Sequence, residues 1–351
     1  VTALLEVEDL HVRFRTAGPV RAALSGINNP FLDAVLDVSF VIAPGTTFAL
    51  VGESGSGKTT LARALTGLVA IRSGRIRFAG VDLPRNAAAL SRWRRDVAMM
   101  FQDPVASLSP RYTVKSLLAE PFRIHGEGGR DLDGEVRRLL GLVGLHPDFA
   151  GRYPHQLSGG QARRVCVARS LALSPKLIIA DEPTAGLDVS VQGEILNLMA
   201  RLQRELGLAY LIITHNLAIT RHVSDTMAIM YMGRFVETGP TSAIFERPAH
   251  PYTHGLLAAQ PHPDPDRRRE HVELEGEVPS LLRRPAGCEF HTRCPHRQAL
   301  CEATPPEPLN IAARHTARCH FPLVAPPSSP TLPLKGGGGQ LVKRKPLYPP
   351  P

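Results

Sequence analysis

Phe48-Ala49-Leu50-Val51 runs directly into Gly52-Glu53-Ser54-Gly55-Ser56-Gly57-Lys58-Thr59, and this stretch decides the fold. The four apolar residues read as a buried strand. The eight that follow fit the pattern G-x-x-x-x-G-K-[ST], a phosphate loop in which glycines let successive backbone N–H groups turn inward around phosphate oxygens. Lys58 is placed to reach β- and γ-phosphates, and the Thr59 hydroxyl to ligate Mg²⁺. Leu61, Leu65 and Leu68 then recur at helical spacing, so a helix begins where the loop ends and points its positive dipole end at the same anion. Gly52 through Thr59, with Thr60 next along the helix, form the candidate nucleotide-binding segment. A chance glycine-rich turn would have no reason to sit between a strand and a helix.

A second stretch supplies the acids that such a loop needs. Leu177-Ile178-Ile179-Ala180-Asp181-Glu182 is an apolar strand ending in two carboxylates. In a parallel sheet, ligands collect at the carboxyl ends of strands, which brings this pair beside the phosphates. Asp181 is the candidate Mg²⁺ holder, and Glu182 the candidate general base for an attacking water. Alone, the two would read as acids capping a buried strand.

Outward from these motifs, strands and helices alternate. Residues 4–14 and 35–42 read as strands, with an extended loop over Thr16–Asp33 between them. Residues 88–173 are mostly helical in pattern, including Val136–Val143 and Val165–Leu173. Val191–Leu206 reads as a helix, Ala209–Thr214 as a strand and Thr226–Thr238 as a hairpin. Such alternation predicts a largely parallel sheet. Proline density rises after Pro240, predicting a smaller, loop-rich region, and the stretch from Pro322 to Pro351 reads as a disordered Pro/Gly-rich tail or in part a cloning remnant.

Composition bounds the rest. The chain has 351 residues, 43% hydrophobic and 21% charged, enough for a sizeable core and two or three domains. No apolar run is long enough to cross a bilayer, and acids near the start argue against a signal peptide. Of the formal +9 charge, Lys335, Lys343, Arg344 and Lys345 contribute four in a tail without acids, leaving +5 for the rest. That body gives no support to nucleic-acid binding, and Arg267–Arg269 reads as a solvated charge run. Cys288, Cys294, Cys301 and Cys319 lie within 32 residues of one another. In a long chain of this kind such a cluster reads as metal binding before disulfides, and four thiolates suit an iron–sulfur cluster or tetrahedral zinc. Nearby His291, His296, His315 and His320 keep zinc open. Cys166 reads as a small core residue, Met99-Met100 as core strand, and Trp93, among Arg92, Arg94 and Arg95, as a helix-surface anchor.

Further motifs narrow the class. Leu157-Ser158-Gly159-Gly160-Gln161 opens a helix, Asp181-Glu182-Pro183-Thr184-Ala185-Gly186-Leu187-Asp188 extends the acidic strand end, Thr214-His215-Asn216 ends another strand, and Gln102 sits in Phe101-Gln102-Asp103-Pro104. Together and in this order they resemble an ATP-binding cassette (ABC) nucleotide-binding domain over residues 3–245. The resemblance implies an α/β P-loop NTPase fold with an inserted helical subdomain at about 104–170. It implies that Ser158, Gly159, Gly160 and Gln161 contact the γ-phosphate bound by another subunit, and that Asp188 crosses the dimer interface. It further implies that Gln102 touches Mg²⁺ or water and relays nucleotide state, and that His215 contacts the γ-phosphate. Phe14 sits where the family stacks an aromatic on adenine; Phe31 is its rival, and a core aromatic is an equal reading for Phe14. Lys58, Glu182, His215 and Gln102 are thus the expected catalytic set, with ATP and Mg²⁺ as ligands.

The stretch after the cassette resembles the C-terminal extension of oligopeptide/dipeptide importer ATPases. Pro248-Ala249-His250-Pro251-Tyr252, Gly276-Glu277-Val278-Pro279-Ser280 and Gly287-Cys288-Glu289-Phe290-His291-Thr292-Arg293-Cys294-Pro295 carry it. Residues 246–321 would be a small Cys-containing extension and 322–351 the tail. The segment from Phe101 to Arg111 and the insertion before Leu36 look like the second of the two unlike ATPases such importers use. That implies a heterodimer with another ATPase, two transmembrane permeases, an extracytoplasmic binding protein as an indirect partner, and a peripheral place on the cytoplasmic face of the cell membrane. Within this family the four cysteines imply a [4Fe-4S] cluster, zinc being the alternative. Relatives carry peptides, nickel chelates or sugars. A soluble ABC ATPase outside transport is a rival, though it would be expected to carry two cassettes or a long coiled coil. A metal-sensing regulator using ATP only as an effector is another, opposed by intact Glu182 and His215.

Overall fold

The computed structural model describes residues 3–16, 30–103, 106–260 and 276–324. The Arg267–Arg269 run and the tail beyond Val324 lie outside them.

The described residues build two sheets. The smaller has the order β2-β1-β4-β5, all antiparallel, from β1 (Leu5–Arg15), β2 (Phe31–Ile42), β4 (Ser73–Phe78) and β5 (Val81–Asp82). In β1, Leu5 and Val7 alternate inward, then Asp9 adopts φ +45° and the buried set resumes at Leu10 and Val12. A bulge there lets one strand keep its apolar face inward across a register shift. The expected loop over Thr16–Asp33 is shortened at its far end, because Phe31–Asp33 already pair with Arg13–Arg15.

The larger sheet runs β11-β12-β10-β9-β3-β8-β7-β6, with β10 (Arg234–Pro240), β11 (Pro308–Ala312) and β12 (His315–Arg318) at its antiparallel end. Its parallel part comprises β3 (Thr47–Val51), β6 (Val97–Met100), β7 (Leu177–Asp181), β8 (Ala209–Thr214) and β9 (Thr226–Tyr231). Every residue of β3, β7 and β8 is buried. Layers on both faces explain why these strands are continuous apolar runs rather than alternating ones. Helix α1 (Lys58–Leu65) packs with the small sheet around Leu61, Leu65, Phe40 and Phe78.

Helix α2 (Ala87–Asp96) corrects one expectation. Trp93 is no surface anchor: it is 6% exposed, its Nε1–H donates to the Leu65 carbonyl at 2.9 Å, and its ring meets Phe78 edge-on. The arginines around it pointed outward and hid a single inward position, and Arg94 itself donates to the Thr66 and Gly67 carbonyls.

A helical layer follows: α3 (Val114–Ile124), α4 (Leu132–Leu142) and α5 (Gly159–Ser170). Thr113, Asp131 and Ser158 each cap the helix after them through a side-chain oxygen. Their apolar stripes, Leu117, Phe122, Val136, Leu139, Leu140 and Val165, join one cluster that also contains Cys166. Burial pushes the Cys166 thiol up to about 12, in keeping with a small core residue. Helices α6 (Val189–Leu206) and α7 (Leu217–Val223) flank β8 in sequence.

After β10 (Arg234–Pro240) the described residues hold more regular structure than a proline-rich, loop-like stretch suggests. Helices α8 (Thr241–Glu246), α9 (Pro251–Ala258) and α10 (Ala299–Ala303) precede β11 (Pro308–Ala312) and β12 (His315–Arg318). β12 pairs with β10, so the stretch after Pro240 extends the main sheet rather than hanging beside it. The buried Glu237 fixes the join: its carboxylate accepts from the Ala249 and His250 amides and from His315 Nε2 at 2.7–2.9 Å. Among the described residues no helix is long and apolar enough to cross a membrane.

Candidate nucleotide site

Three adjacent strands, β3, β8 and β7, end side by side, with Val51 opposite Thr214 and Asp181 opposite Ile213. The loop Gly52–Gly57 leaves β3, Glu182 follows β7, and His215 follows β8. The parallel register alone thus gathers segments more than a hundred residues apart at one edge.

The loop has no room for side chains at its two key glycines. A Cβ on Gly52 would sit 2.2 Å from the Met230 carbonyl oxygen, and one on Gly57, at φ +105°, 2.3 Å from that of Ala34. Lys58 is buried, and its Nζ donates to the Gly52 and Glu53 carbonyls at 2.8 Å. Burial lowers its pKa, while Glu182, Asp181 and Glu53 oppose that shift. The Thr59 hydroxyl donates to Asp181 Oδ2 at 2.8 Å, and burial raises the Asp181 pKa. A hydroxyl and a carboxylate at one part-buried point form the hard oxygen donor set that Mg²⁺ prefers.

Glu182 adopts φ +50° before Pro183, a conformation that costs a non-glycine residue ~1–3 kcal/mol. Its amide donates to the Ile213 carbonyl at 2.8 Å, which holds it there. The carboxylate lies 2.9 Å from His215 Nδ1, at the mouth of the cleft, where His215 is 69% exposed. Phe14, Ser54, Gly55, Gly57, Lys58, Thr59, Thr60, Gln102, Asp181, Glu182 and His215 line one common cleft. Phe31 is not among its lining; the Arg13 guanidinium lies over its ring.

Ser158, Gly159, Gly160, Gln161 and Asp188 line a different cleft, together with Gly186 and Leu187. Ser158 and Gln161 form a reciprocal cap at the start of α5, and Asp188 caps α6. A Cβ on Gly159 would meet Leu187 at 3.5 Å and one on Gly160 would meet Val191 at 3.0 Å, so the two glycines keep the start of α5 slim. Hence the described residues carry two separate clefts, one at the phosphate loop and one at a glycine-rich helix start.

The motifs gave no hint of three contributors from the C-terminal stretch. Leu281 lines the phosphate-loop cleft. Tyr252 Oη accepts the Glu53 amide at 3.1 Å, and Arg293 pairs with the Glu53 carboxylate. The only signal for Arg293 was its place beside Cys294.

The four clustered cysteines are free thiols that line one small pocket with His250, His291, His296 and His320. Burial pushes Cys288 up to about 11 and Cys319 up to about 12, and raises Cys294. Among the described residues no three His, Cys, Asp or Glu side chains converge on a point where one ion would be held. The donors fit a thiolate centre in kind, but they surround a pocket rather than meet, and His315 is bound to Glu237 instead.

Comparison with known proteins places this geometry. Residues 35–185 match the ABC transporter model and residues 236–301 the oligopeptide/dipeptide transporter C-terminal region. The chain is 45% identical to a probable peptide ABC transporter ATP-binding protein of Sinorhizobium fredii, covering 91% of this chain and 90% of that one. The chain belongs to the oligopeptide/dipeptide family of ABC transporter ATP-binding proteins. It is also 42% identical to the oligopeptide transport ATP-binding protein OppF of Salmonella typhimurium, over 90% of this chain and 95% of that one. A solved dimeric ATP-binding cassette, in a post-hydrolysis state with ADP and Pi, superposes with a TM-score of 0.58 at 25% identity, covering 68% of this chain and 98% of that one. As an ABC ATPase, the chain binds and hydrolyses ATP with Mg²⁺, on an ABC-type P-loop fold.

Proposed function

We propose that this chain is the second of two unlike ATPases driving a di- and oligopeptide importer. The observation that carries the ATPase arrangement is the split of the site into two clefts. A triphosphate resting on Gly52–Thr59 needs donors above its γ-phosphate, and the start of α5, which lines a different cleft, does not supply them within one chain. A partner ATPase facing the cleft would bring its own glycine-rich helix start, while Ser158, Gly159, Gly160, Gln161 and Asp188 serve the partner's ATP. The dimeric cassette with ADP and Pi among similar structures supports such a pairing. Peptide cargo is supported by the match over residues 236–301 and by the peptide transport names of the relatives, which do not favour nickel chelates or sugars.

Within the cleft, Phe14 would stack on the base. Lys58 and the inward N–H groups would neutralise the phosphates, and Thr59 and Asp181 would hold Mg²⁺, with Gln102 at its edge. Glu182 would take the proton of a water attacking the γ-phosphorus as the bond to the β-phosphate oxygen breaks, leaving ADP and phosphate. His215, held by Glu182, would donate to the γ-phosphate. Catalysis of this kind is mainly positioning and charge stabilisation.

A groove between the helical layer and β6 supports a permease contact. Phe101, Ile124 and Leu68 are exposed apolar residues along it, and a short permease helix would cover them. Two permeases and, through them, an extracytoplasmic binding protein would complete the machine, with this chain peripheral on the cytoplasmic face. We assign residues 1–245 to the cassette, with about 104–170 as its helical part, and 246–321 to the extension. Cys288, Cys294, Cys301 and Cys319 would hold a [4Fe-4S] cluster, zinc being the alternative. Because a cluster takes one thiolate per iron, thiols spread around a pocket suit it better than a single ion. Iron and sulfide analysis of anaerobically purified protein tests that part, and protein lacking both overturns it. For the function itself, the full chain is co-purified with its permeases and placed in liposomes. ATP-driven uptake of oligopeptides, lost in Lys58→Ala, is the expected result; uptake of nickel chelates or sugars but not peptides would overturn the cargo.

A further inference from the structure

Glu53 is the second residue of the phosphate loop, and each of its polar groups is held. Its carbonyl accepts from Lys58 Nζ at 2.8 Å, its amide donates to Tyr252 Oη at 3.1 Å, and its carboxylate meets Arg293 Nη1 at 2.9 and 3.1 Å. Two of those three partners come from the C-terminal extension, about 200 and 240 residues further along the chain. Arg293 is 7% exposed in its side chain and Glu53 24%, so the pair is part-buried with the guanidinium on its inner side. The Arg293 guanidinium also lies 6.0 Å from the Tyr231 ring, which packs on Tyr252 and Phe290. This aromatic cluster anchors the clamp to the end of β9.

An acid inside an anion-binding loop is an electrostatic liability. Its charge opposes the triphosphate unless a cation neutralises it at short range and shields it from the ligand. We propose that Arg293 is a positioning residue for the ATP site: it neutralises and pins Glu53, and through the Glu53 carbonyl fixes the start of the loop on which Lys58 rests. The extension thereby completes the nucleotide site of its own chain. This rests on the ATP-binding reading of Gly52–Thr59 and adds a residue that no nucleotide-site motif contains. Both carboxylate oxygens are met by one nitrogen, Nη1, so a lysine ammonium in the same place can keep the pair.

The test is a double-mutant cycle in the full chain, assembled with its partners. Arg293→Gln leaves the Glu53 carboxylate uncompensated, so affinity for a fluorescent ATP analogue falls about three- to tenfold and KM for ATP rises with it. kcat changes little, because Glu182 and Asp181 are untouched. Adding Glu53→Gln removes the repelling charge and recovers most of the affinity, and Arg293→Lys retains it. A merely structural role would lower the unfolding midpoint without this rescue. Arg293→Gln with wild-type affinity, or a double variant no better than Arg293→Gln, overturns the proposal while the ATP reading stands. A wild-type chain that binds no ATP overturns both.

Discussion

Replacing Glu182 by Gln separates binding from chemistry. The amide copies the shape of the carboxylate, and Gln suits φ +50° no worse than Glu, so the backbone strain is unchanged. The contact that weakens is the one with His215, which is 69% exposed and can still donate to the amide oxygen, so folding stability moves by ~1 kcal/mol at most. Neither Lys58 nor the Thr59–Asp181 pair loses a contact, and ATP affinity should hold. What disappears is the proton acceptor beside the γ-phosphate, worth about 10²–10⁴ in rate, or ~3–5 kcal/mol of barrier. Phosphate release by the assembled importer and equilibrium binding of ATP, measured on the same preparation, check both halves. Turnover within about threefold of wild type would refute Glu182 as the base, and a parallel loss of binding would show that it acts on the ground state instead.

Further outcomes follow from other contacts. Phe14 lines the cleft and Phe31 does not, so Phe14→Ala should weaken ATP binding by ~1–3 kcal/mol, as for a lost base–aromatic stack, with Phe31→Ala near wild type by titration. Trp93→Phe leaves the Leu65 carbonyl without its indole donor, which should cost ~1–3 kcal/mol in urea unfolding. His250 is buried, accepts the Tyr252 amide through Nδ1, and has its pKa pushed down to about 4 by burial. The unfolded chain takes up that proton first, near about 6.5, so the stability is complete above that pH and lost as pH falls towards 4. Urea midpoints compared at neutral pH and at pH ~5 should fall in the wild type and fall less in His250→Asn, which can still cap α9.

How much could be read without the fold follows from the range of each interaction. The phosphate loop is a local object: glycine spacing, one lysine and one hydroxyl specify it within a dozen residues. The acids after Ala180 and the Ser158–Gln161 cap are equally local, and so were legible. That the chain is an ABC ATPase was therefore determined by short motifs in order. Tertiary structure alone decided which motifs share a cleft. Parallel pairing of β3, β8 and β7 gathers Lys58, Asp181, Glu182 and His215, while Ser158 to Gln161 are left in a second cleft that a motif list cannot distinguish from the first. Trp93 was misread because three neighbouring arginines dominate its local pattern, whereas its burial depends on Leu65 and Phe78. The extension looked loop-like because β11 and β12 are short and proline-flanked, and they become strands by pairing onto an existing edge at β10. Arg293 and Glu53 stand 240 residues apart in sequence and under 3 Å apart in space. A contact of that kind leaves no periodicity or spacing in one sequence; it exists only once the chain has closed on itself.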